Sequence, residues 1–101
     1  MPDWRQMVTA IILITTAQGS AADVAQGLID LPGITEAYSI AGSYDLVAIA
    51  RVHDHETLAD LVAGQVQKVP GIKATNTLIA FRAYSRRDLE AMWDLGNEPI
   101  R

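Results

Sequence analysis

The 101-residue sequence contains no cysteine. This absence excludes disulfides, thiolate nucleophiles and cysteine-ligated zinc or iron–sulfur sites. Basic residues are also few, since eight Lys and Arg stand against twelve Asp and Glu and give a formal net charge of -4. Such a chain has no excess of positive side chains to neutralise phosphates, so autonomous binding to DNA or RNA is not expected.

Long apolar segments are missing as well. The uninterrupted apolar run of residues 10–14, which no other run exceeds, is far too short to cross a bilayer, and the opening MPDWRQ lacks the layout of a signal peptide. The sequence therefore predicts a soluble, cytoplasmic protein. Half of its residues are hydrophobic and a fifth are charged, which is typical of a globular chain, and its length fits one compact domain.

A short motif occurs twice, as LPGI at residues 31–34 and as VPGI at residues 69–72. Each copy stands where a helix-like segment gives way to a strand-like one. Proline cannot continue a helix, and glycine accepts the left-handed backbone of a helix exit. Because the two prolines are 70 minus 32, or 38, residues apart, the order strand, helix, strand is written twice, which predicts two βαβ halves.

The predicted strands and helices are arranged around these helix-ending motifs. An uncharged run rich in β-branched residues predicts a strand covered on both faces. A residue with a capping side chain followed by apolar residues at helical spacing predicts each helix. Gly42 and Ser43 predict a tight two-residue hairpin between the second and third strands. The predicted strands are 7–15, 34–41, 45–52 and 72–83, and the predicted helix caps are Ser20 and Asp54.

The resulting order, βαββαβ, predicts an α+β fold of the ferredoxin-like kind, a four-stranded antiparallel sheet with two helices on one face. The strands are nevertheless apolar on both sides, because Ile12 and Ile14 alternate with Ile11 and Leu13. Two helices can cover only one side. Soluble monomers avoid a large exposed apolar face, so we expect a homodimer joined through its sheets, a dimeric α+β barrel.

Residues 1–84 are expected to form the domain, and residues 85–101 a helical extension and tail. Ser85 and Asp88 repeat the capping pattern. Leu89, Met92 and Trp93 form one apolar stripe at helical spacing. This stripe could fold back onto its own domain or dock onto another subunit.

No catalytic motif is visible, since GxSxG, P-loop and GxGxxG sequences are all missing. His53, Asp54, His55 and Glu56 form the densest group of possible metal ligands, but their position favours a helix cap over a metal site. The basic cluster of Arg82, Arg86 and Arg87 is interpreted as a solvated flank. Neither a cofactor nor a metal is expected.

Asp45 begins an otherwise apolar strand. A carboxylate there is costly to desolvate unless something donates a hydrogen bond to it, and backbone amides or an ammonium group are the natural donors. From the residues alone, a structural role and a ligand-binding role for Asp45 are both open.

Taken together, residues 8–83 resemble the ligand-binding and oligomerisation domain of the Lrp/AsnC transcription regulators, also called the RAM domain. The two Pro-Gly-Ile turns, the Gly-Ser-Tyr-Asp turn at residues 42–45 and TNTLIAF at residues 75–81 carry the resemblance. It implies a ferredoxin-like domain that dimerises through its sheet and assembles further, commonly into octamers, with amino acids or similar small effectors bound between dimers.

Residue by residue, the resemblance implies an effector pocket at the hairpin turn, with Asp45 as partner of an amino group. The implied ligand-binding residues are Gly42, Ser43, Tyr44, Asp45, Thr75 and Thr77. Family regulators carry a winged helix-turn-helix before this domain, whereas about seven residues precede the first strand here. The expectation is therefore a stand-alone domain that senses an amino acid or forms mixed assemblies with a full-length regulator.

Two other functions remain open. Small enzymes of the dimeric α+β barrel type, such as monooxygenases or muconolactone-isomerase-like proteins, share the paired architecture, and fold alone does not separate them from a sensor. An enzyme would place acid or base side chains between the sheet and the helices of one protomer. A purely structural assembly module would differ from the sensor only in lacking a ligand.

Overall fold

A computed structural model of the chain describes residues 7–84 and 86. The strands are β1 (Val8–Thr16), β2 (Ile34–Ser39), β3 (Leu46–Val52) and β4 (Ile72–Ala80). Helix α1 spans Ala21–Ile29. Helix α2 has three consecutive parts, an α-helical His55–Ala59, a π-helical Asp60–Gln65 and a 3-10 turn Val66–Lys68.

The strands form one sheet in the order β2-β3-β1-β4, and every neighbouring pair is antiparallel. This arrangement confirms the predicted ferredoxin-like α+β fold. The two helices cover one face of the sheet, where apolar side chains of β1, β3 and both helices form the core. Its fully buried members include Ile12, Ile14, Val24, Leu28, Leu46, Leu61 and Val66.

The Pro-Gly turn after each helix packs against the other helix. Gly33, which follows α1, and Gly71, which follows α2, both have positive φ, at 101° and 97°. A Cβ on Gly33 would lie 3.2 Å from a methyl of Leu61 in α2, and a Cβ on Gly71 would lie 2.8 Å from a methyl of Val24 in α1. Each glycine therefore lets the end of one helix approach the other helix, which explains why the motif occurs twice.

The two predicted helix caps differ. The Asp54 carboxylate accepts from the backbone N–H of Thr57 at 2.7 Å, which confirms the predicted cap of α2. A side-chain hydrogen bond from Thr57, with a smaller contribution from that N–H, lowers the pKa of Asp54. Ser20 is the N-cap residue of α1, but its side chain makes no capping hydrogen bond.

The hairpin prediction was wrong in its length. β2 ends at Ser39 and β3 begins at Leu46, so residues 40–45 form a six-residue loop in place of a two-residue turn. Strand β4 is also shorter than predicted, since it ends at Ala80. The predicted helix with the stripe Leu89, Met92 and Trp93 lies outside the described residues, so the boundary at residue 84 remains a prediction.

The sheet face away from the helices, here called the open face, is apolar at its centre. Ile11 pairs with Ile49 and Leu13 with Val47, and all four side chains are only half-buried. Nearer the edges, Tyr38 on β2 is 51% exposed and Leu78 on β4 is 47% exposed, and both belong to this face by register. In the single chain, no element among the described residues covers this surface.

Candidate functional site

The loop of residues 40–45 is fixed at its base by three hydrogen bonds. The N–H of Ile40 donates to the carbonyl of Asp45 at 3.1 Å and closes the loop. The N–H of Asp45 donates to the carbonyl of Ile14 at 2.9 Å, which ties the loop to the end of β1. The third bond reaches the Asp45 side chain. Because the base is held while residues 41–43 are exposed, the loop presents its tip to solvent on a rigid support.

Asp45 has the structural role that its position in the sequence left open. Its Oδ2 accepts from the backbone N–H of Thr16 at 2.8 Å, and the Thr16 hydroxyl lies 3.4 Å from the same oxygen. No hydrogen bond to its Oδ1 is present within residues 7–84 and 86. The carboxylate is exposed, so one oxygen is used to anchor the loop while the other can accept from a positively charged group.

Tyr44 crosses from the loop to β4. Its hydroxyl accepts from the side-chain Nδ2 of Asn76 at 3.2 Å. Asn76 is opposite Leu13 in the sheet and therefore belongs to the open face. The Tyr44 hydroxyl therefore lies at the end of the open face. Tyr44 directly precedes Asp45 in the sequence.

Thr75 and Thr77 lie on the other side of β4. They are opposite Ile14 and Ile12, whose side chains are buried against the helices, so both threonines face the helix layer. Thr75 accepts from Nε2 of Gln67 at 3.2 Å, and the same nitrogen donates to the carbonyl of Val62. The two threonines therefore share a face with each other but not with Asn76, the partner of Tyr44.

Gly42 and Ser43 form the exposed tip of the loop. Gly42 has φ of +137°, a backbone conformation that favours glycine, and no heavy atom lies within 4 Å of where its Cβ would be. The glycine is thus required by the chain conformation, since no neighbour crowds it.

A second polar cluster lies at the β2 edge of the open face. Arg51 donates to the Thr35 hydroxyl at 2.9 Å and pairs with Glu36 at 3.5 Å. The Tyr38 hydroxyl donates to the other Glu36 oxygen. This hydrogen bond is the main cause of the lowered pKa of Glu36, with a smaller effect of Arg51, and it raises the pKa of Tyr38. The cluster makes one margin of an otherwise apolar surface polar.

Two parts of this arrangement were not predicted. Asn76 is 32 residues from Tyr44 in the chain, and nothing local marks it as a partner. The Glu36, Tyr38 and Arg51 cluster depends on the pairing of β2 with β3, where the register shifts between Ile34 and Glu36. Residues 34–39, ITEAYS, lack the strict alternation of polar and apolar residues that could have pointed to it.

A metal site and a membrane-spanning helix each set requirements that the described residues would have to meet. Residues 7–84 and 86 hold no group of three His, Asp or Glu side chains close enough to bind a metal ion together. No helix within the same residues has the length and apolar character needed to cross a bilayer.

The described residues form an antiparallel βαββαβ domain of the ferredoxin-like α+β class, with an acidic loop anchored to β1. The sequence model of the Lrp/AsnC ligand binding domain matches residues 9–89. The chain belongs to this family, which confirms the resemblance identified from the two Pro-Gly-Ile turns and the loop at residues 42–45.

Curated relatives with this domain are named as transcriptional regulators. The HTH-type transcriptional regulator FL11 of Pyrococcus horikoshii is 31% identical over 75 residues, which is 74% of this chain and 49% of that protein. The chain thus spans about half the length of the curated relatives it matches.

Solved structures include a chain that the match covers completely. TTHA0845 from Thermus thermophilus is 40% identical with a TM-score of 0.74, and the match covers 79% of this chain and all of that one. AsnC of E. coli has a TM-score of 0.75 at 23% identity, covering 82% of this chain and 56% of that protein, and shows the same fold.

Proposed function

We propose that this chain is a non-enzymatic, cytoplasmic domain that binds an amino acid or a similar small effector and assembles with further copies as part of transcription regulation. The observation that carries the proposal is the Asp45 carboxylate, which is anchored through one oxygen and exposed through the other. Its neighbour Tyr44 adds a hydroxyl at the same loop. A carboxylate and a phenol hydroxyl on one loop offer an acceptor for an ammonium group and a donor for a carboxylate.

Assembly with further copies is the second part of the proposal. The open face carries apolar side chains in its centre, and a second copy placed on it would remove them from water. The resemblance implies that two copies joined in this way assemble further, commonly into an octamer. Ligand contacts between dimers would then come from the exposed tip, Gly42 and Ser43, together with Tyr44 and Asp45.

The family context supports an amino acid as the effector. A protein of the same fold, NMB0573 of Neisseria meningitidis, was crystallised as an L-Met complex, with a TM-score of 0.71 at 14% identity. With a net charge of -4, this chain is poorly suited to bind DNA by itself. We therefore propose that contact with DNA comes from a full-length Lrp/AsnC regulator in a mixed assembly.

An enzyme of the dimeric α+β barrel type is the weaker alternative. Its reacting groups would lie between the sheet and the helices of one protomer. Within residues 7–84 and 86, no polar or charged side chain is buried, and that layer contains apolar side chains such as Leu28, Leu46 and Leu61. General acid or base chemistry needs an ionisable group in such a pocket, which favours the effector-binding function.

A thermal-shift screen of the twenty amino acids tests the proposal. An effector that binds the folded chain stabilises it by about 2.7 kcal/mol when its concentration is 100 times its dissociation constant. This corresponds to a shift of roughly 10 °C or more for a domain of this size. Asp45→Asn keeps an oxygen to accept from Thr16 but removes the charge that would attract an ammonium group, so it should abolish the shift.

Asp30→Asn is the matched control, because Asp30 is an exposed carboxylate after α1, at the opposite end of the sheet from the loop. It should leave the shift unchanged. If no amino acid raises the melting temperature of the unmodified chain, or if Asp45→Asn retains the full shift, sensing of amino acids at this loop is ruled out.

Mixed assembly is tested separately, by co-expressing the tagged chain with full-length Lrp/AsnC regulators from the same cell. We expect a regulator to co-purify with the tagged chain. Complete absence of any such regulator contradicts the mixed assembly while leaving effector binding intact.

A further inference from the structure

The hydrogen bond between Asn76 and Tyr44 has a defined direction. A side-chain amide nitrogen can only donate, so the Asn76 Nδ2 donates to the Tyr44 oxygen at 3.2 Å. A phenol oxygen that accepts in this way keeps its own proton for another partner. Asn76 therefore directs the Tyr44 O–H away from β4.

The Tyr44 hydroxyl is on the same loop as Asp45, whose Oδ1 can still accept a hydrogen bond. Asp45 is held by the N–H of Thr16, and its own N–H is bonded to Ile14, so its side chain has a fixed position relative to β1. Tyr44 is fixed through Asn76, which pairs with Leu13 of the same strand β1. The loop thus presents one donor, the Tyr44 hydroxyl, and one acceptor, the Asp45 carboxylate. Both groups are held in place by contacts that lead to the same central strand, β1.

We propose that Asn76 is a positioning residue that fixes the Tyr44 hydroxyl as a hydrogen-bond donor to the carboxylate of an α-amino acid, while Asp45 receives the ammonium group. This inference rests on the proposed function and adds a reason for selectivity. A ligand without a carboxylate, such as the amine formed by decarboxylation, leaves the oriented Tyr44 donor without its partner and binds more weakly.

Asn76→Asp tests the direction of the bond because it nearly preserves the shape of the side chain. An ionised carboxylate can only accept, so Tyr44 must donate its proton to the substituted side chain and none remains for the ligand. We expect isothermal titration of the full chain with the tightest-binding of the twenty amino acids to show at least about tenfold weaker binding. Binding of the corresponding decarboxylated amine should change much less, so the preference for the amino acid over its amine collapses.

Two variants separate this role from a general loss of structure. Ala22→Asp adds the same charge at an exposed position of α1, on the helix side of the sheet, and should keep the preference of the unmodified chain. Tyr44→Phe removes the donor and should lose the preference as Asn76→Asp does. If Asn76→Asp retains the preference while Tyr44→Phe loses it, Asn76 does not set the direction of the bond and the inference is wrong.

A ligand-free measurement examines the contact itself. In a ¹H–¹⁵N correlation spectrum, the Asn76 side-chain amide should move when Tyr44 is replaced by Phe and should stay in place in Asp30→Asn. An unchanged Asn76 signal overturns the inference whatever the ligand result. If the unmodified chain binds none of the twenty amino acids, the proposed function fails and this role of Asn76 fails with it, whereas binding with an unaltered preference in Asn76→Asp refutes the role of Asn76 alone.

Discussion

Two carboxylates among the described residues accept hydrogen bonds from backbone N–H groups. Asp45 accepts from Thr16 across the sheet, and Asp54 accepts from Thr57 at the start of α2. The two bonds differ in how visible they are in the sequence. The Asp54 cap is local, spanning three residues, and was predicted, whereas the partner of Asp45 is 29 residues away and could not be identified before the strands were paired.

The cap of α2 makes stability depend on pH in a known direction. The pKa of Asp54 is lowered below its ordinary value of 3.8, first by the Thr57 side chain and then by the Thr57 N–H. A lowered pKa in the folded state gives stabilisation that is present above the unfolded value and is lost as pH falls through the folded value. Asp54→Asn keeps an acceptor for Thr57 but cannot titrate.

Urea unfolding of the unmodified chain and of Asp54→Asn at pH 7 and pH 3 measures this effect. We expect the gap between the two midpoints to be largest at pH 7 and to shrink at pH 3, because the carboxylate loses its charge only in the unmodified chain. A gap that is the same at both pH values would mean that Asp54 contributes no charge-dependent stabilisation.

At the scale of elements, the two helix ends are the most instructive feature. Gly71 has φ of +97°, and an added Cβ would lie 2.8 Å from Val24 and 3.1 Å from Ser20. Gly64, in the π-helical part of α2, has no heavy atom within 4 Å of an added Cβ and an ordinary backbone. The same substitution at the two sites should therefore have opposite effects.

Gly71→Ala should lower the free energy of unfolding by about 2–4 kcal/mol, because a strained backbone and an overpacked contact add. Gly64→Ala should raise it by about 0.5–1 kcal/mol, since alanine loses less backbone freedom on folding. Chemical denaturation of both variants measures these changes in the free energy of unfolding. Equal effects of the two changes would show that the close approach of Gly71 to α1 is not a structural requirement.

The sequence was most informative about elements whose signals are local. The repeated Pro-Gly-Ile motif located both helix exits, and the alternation of Ile11 to Ile14 identified the central strand. The loop of residues 40–45 was predicted too short, because its length depends on the bonds that Asp45 makes to Ile14 and Thr16 of β1. The π-helical winding of α2 at Asp60–Gln65 was likewise not predicted, because its residues carry no local signal that separates a π-helix from an α-helix.

For the molecule as a whole, the open face explains both the apolar composition of the strands and the proposed assembly. Leu13 lies at its centre, opposite Val47 and Asn76. Leu13→Asp places a charge on this surface, which costs several kcal/mol if a second copy desolvates it without a partner. The variant should therefore elute as a smaller species at equal concentration in size-exclusion chromatography.

Ala22→Asp is the control for the added charge, because Ala22 is exposed on α1 on the helix side of the sheet. It should elute as the unmodified chain does. A Leu13→Asp variant that assembles as tightly as Ala22→Asp would show that the subunits do not meet through the open face.

Sedimentation velocity of the unmodified chain at low micromolar concentration tests the central claim most directly, since the claim is that a second copy covers the open face. We predict a folded species of at least twice the 10.9 kDa of one chain, in even multiples if dimers assemble further. A stable, folded species of 10.9 kDa across the concentration range, with its open face in contact with water, would contradict the account.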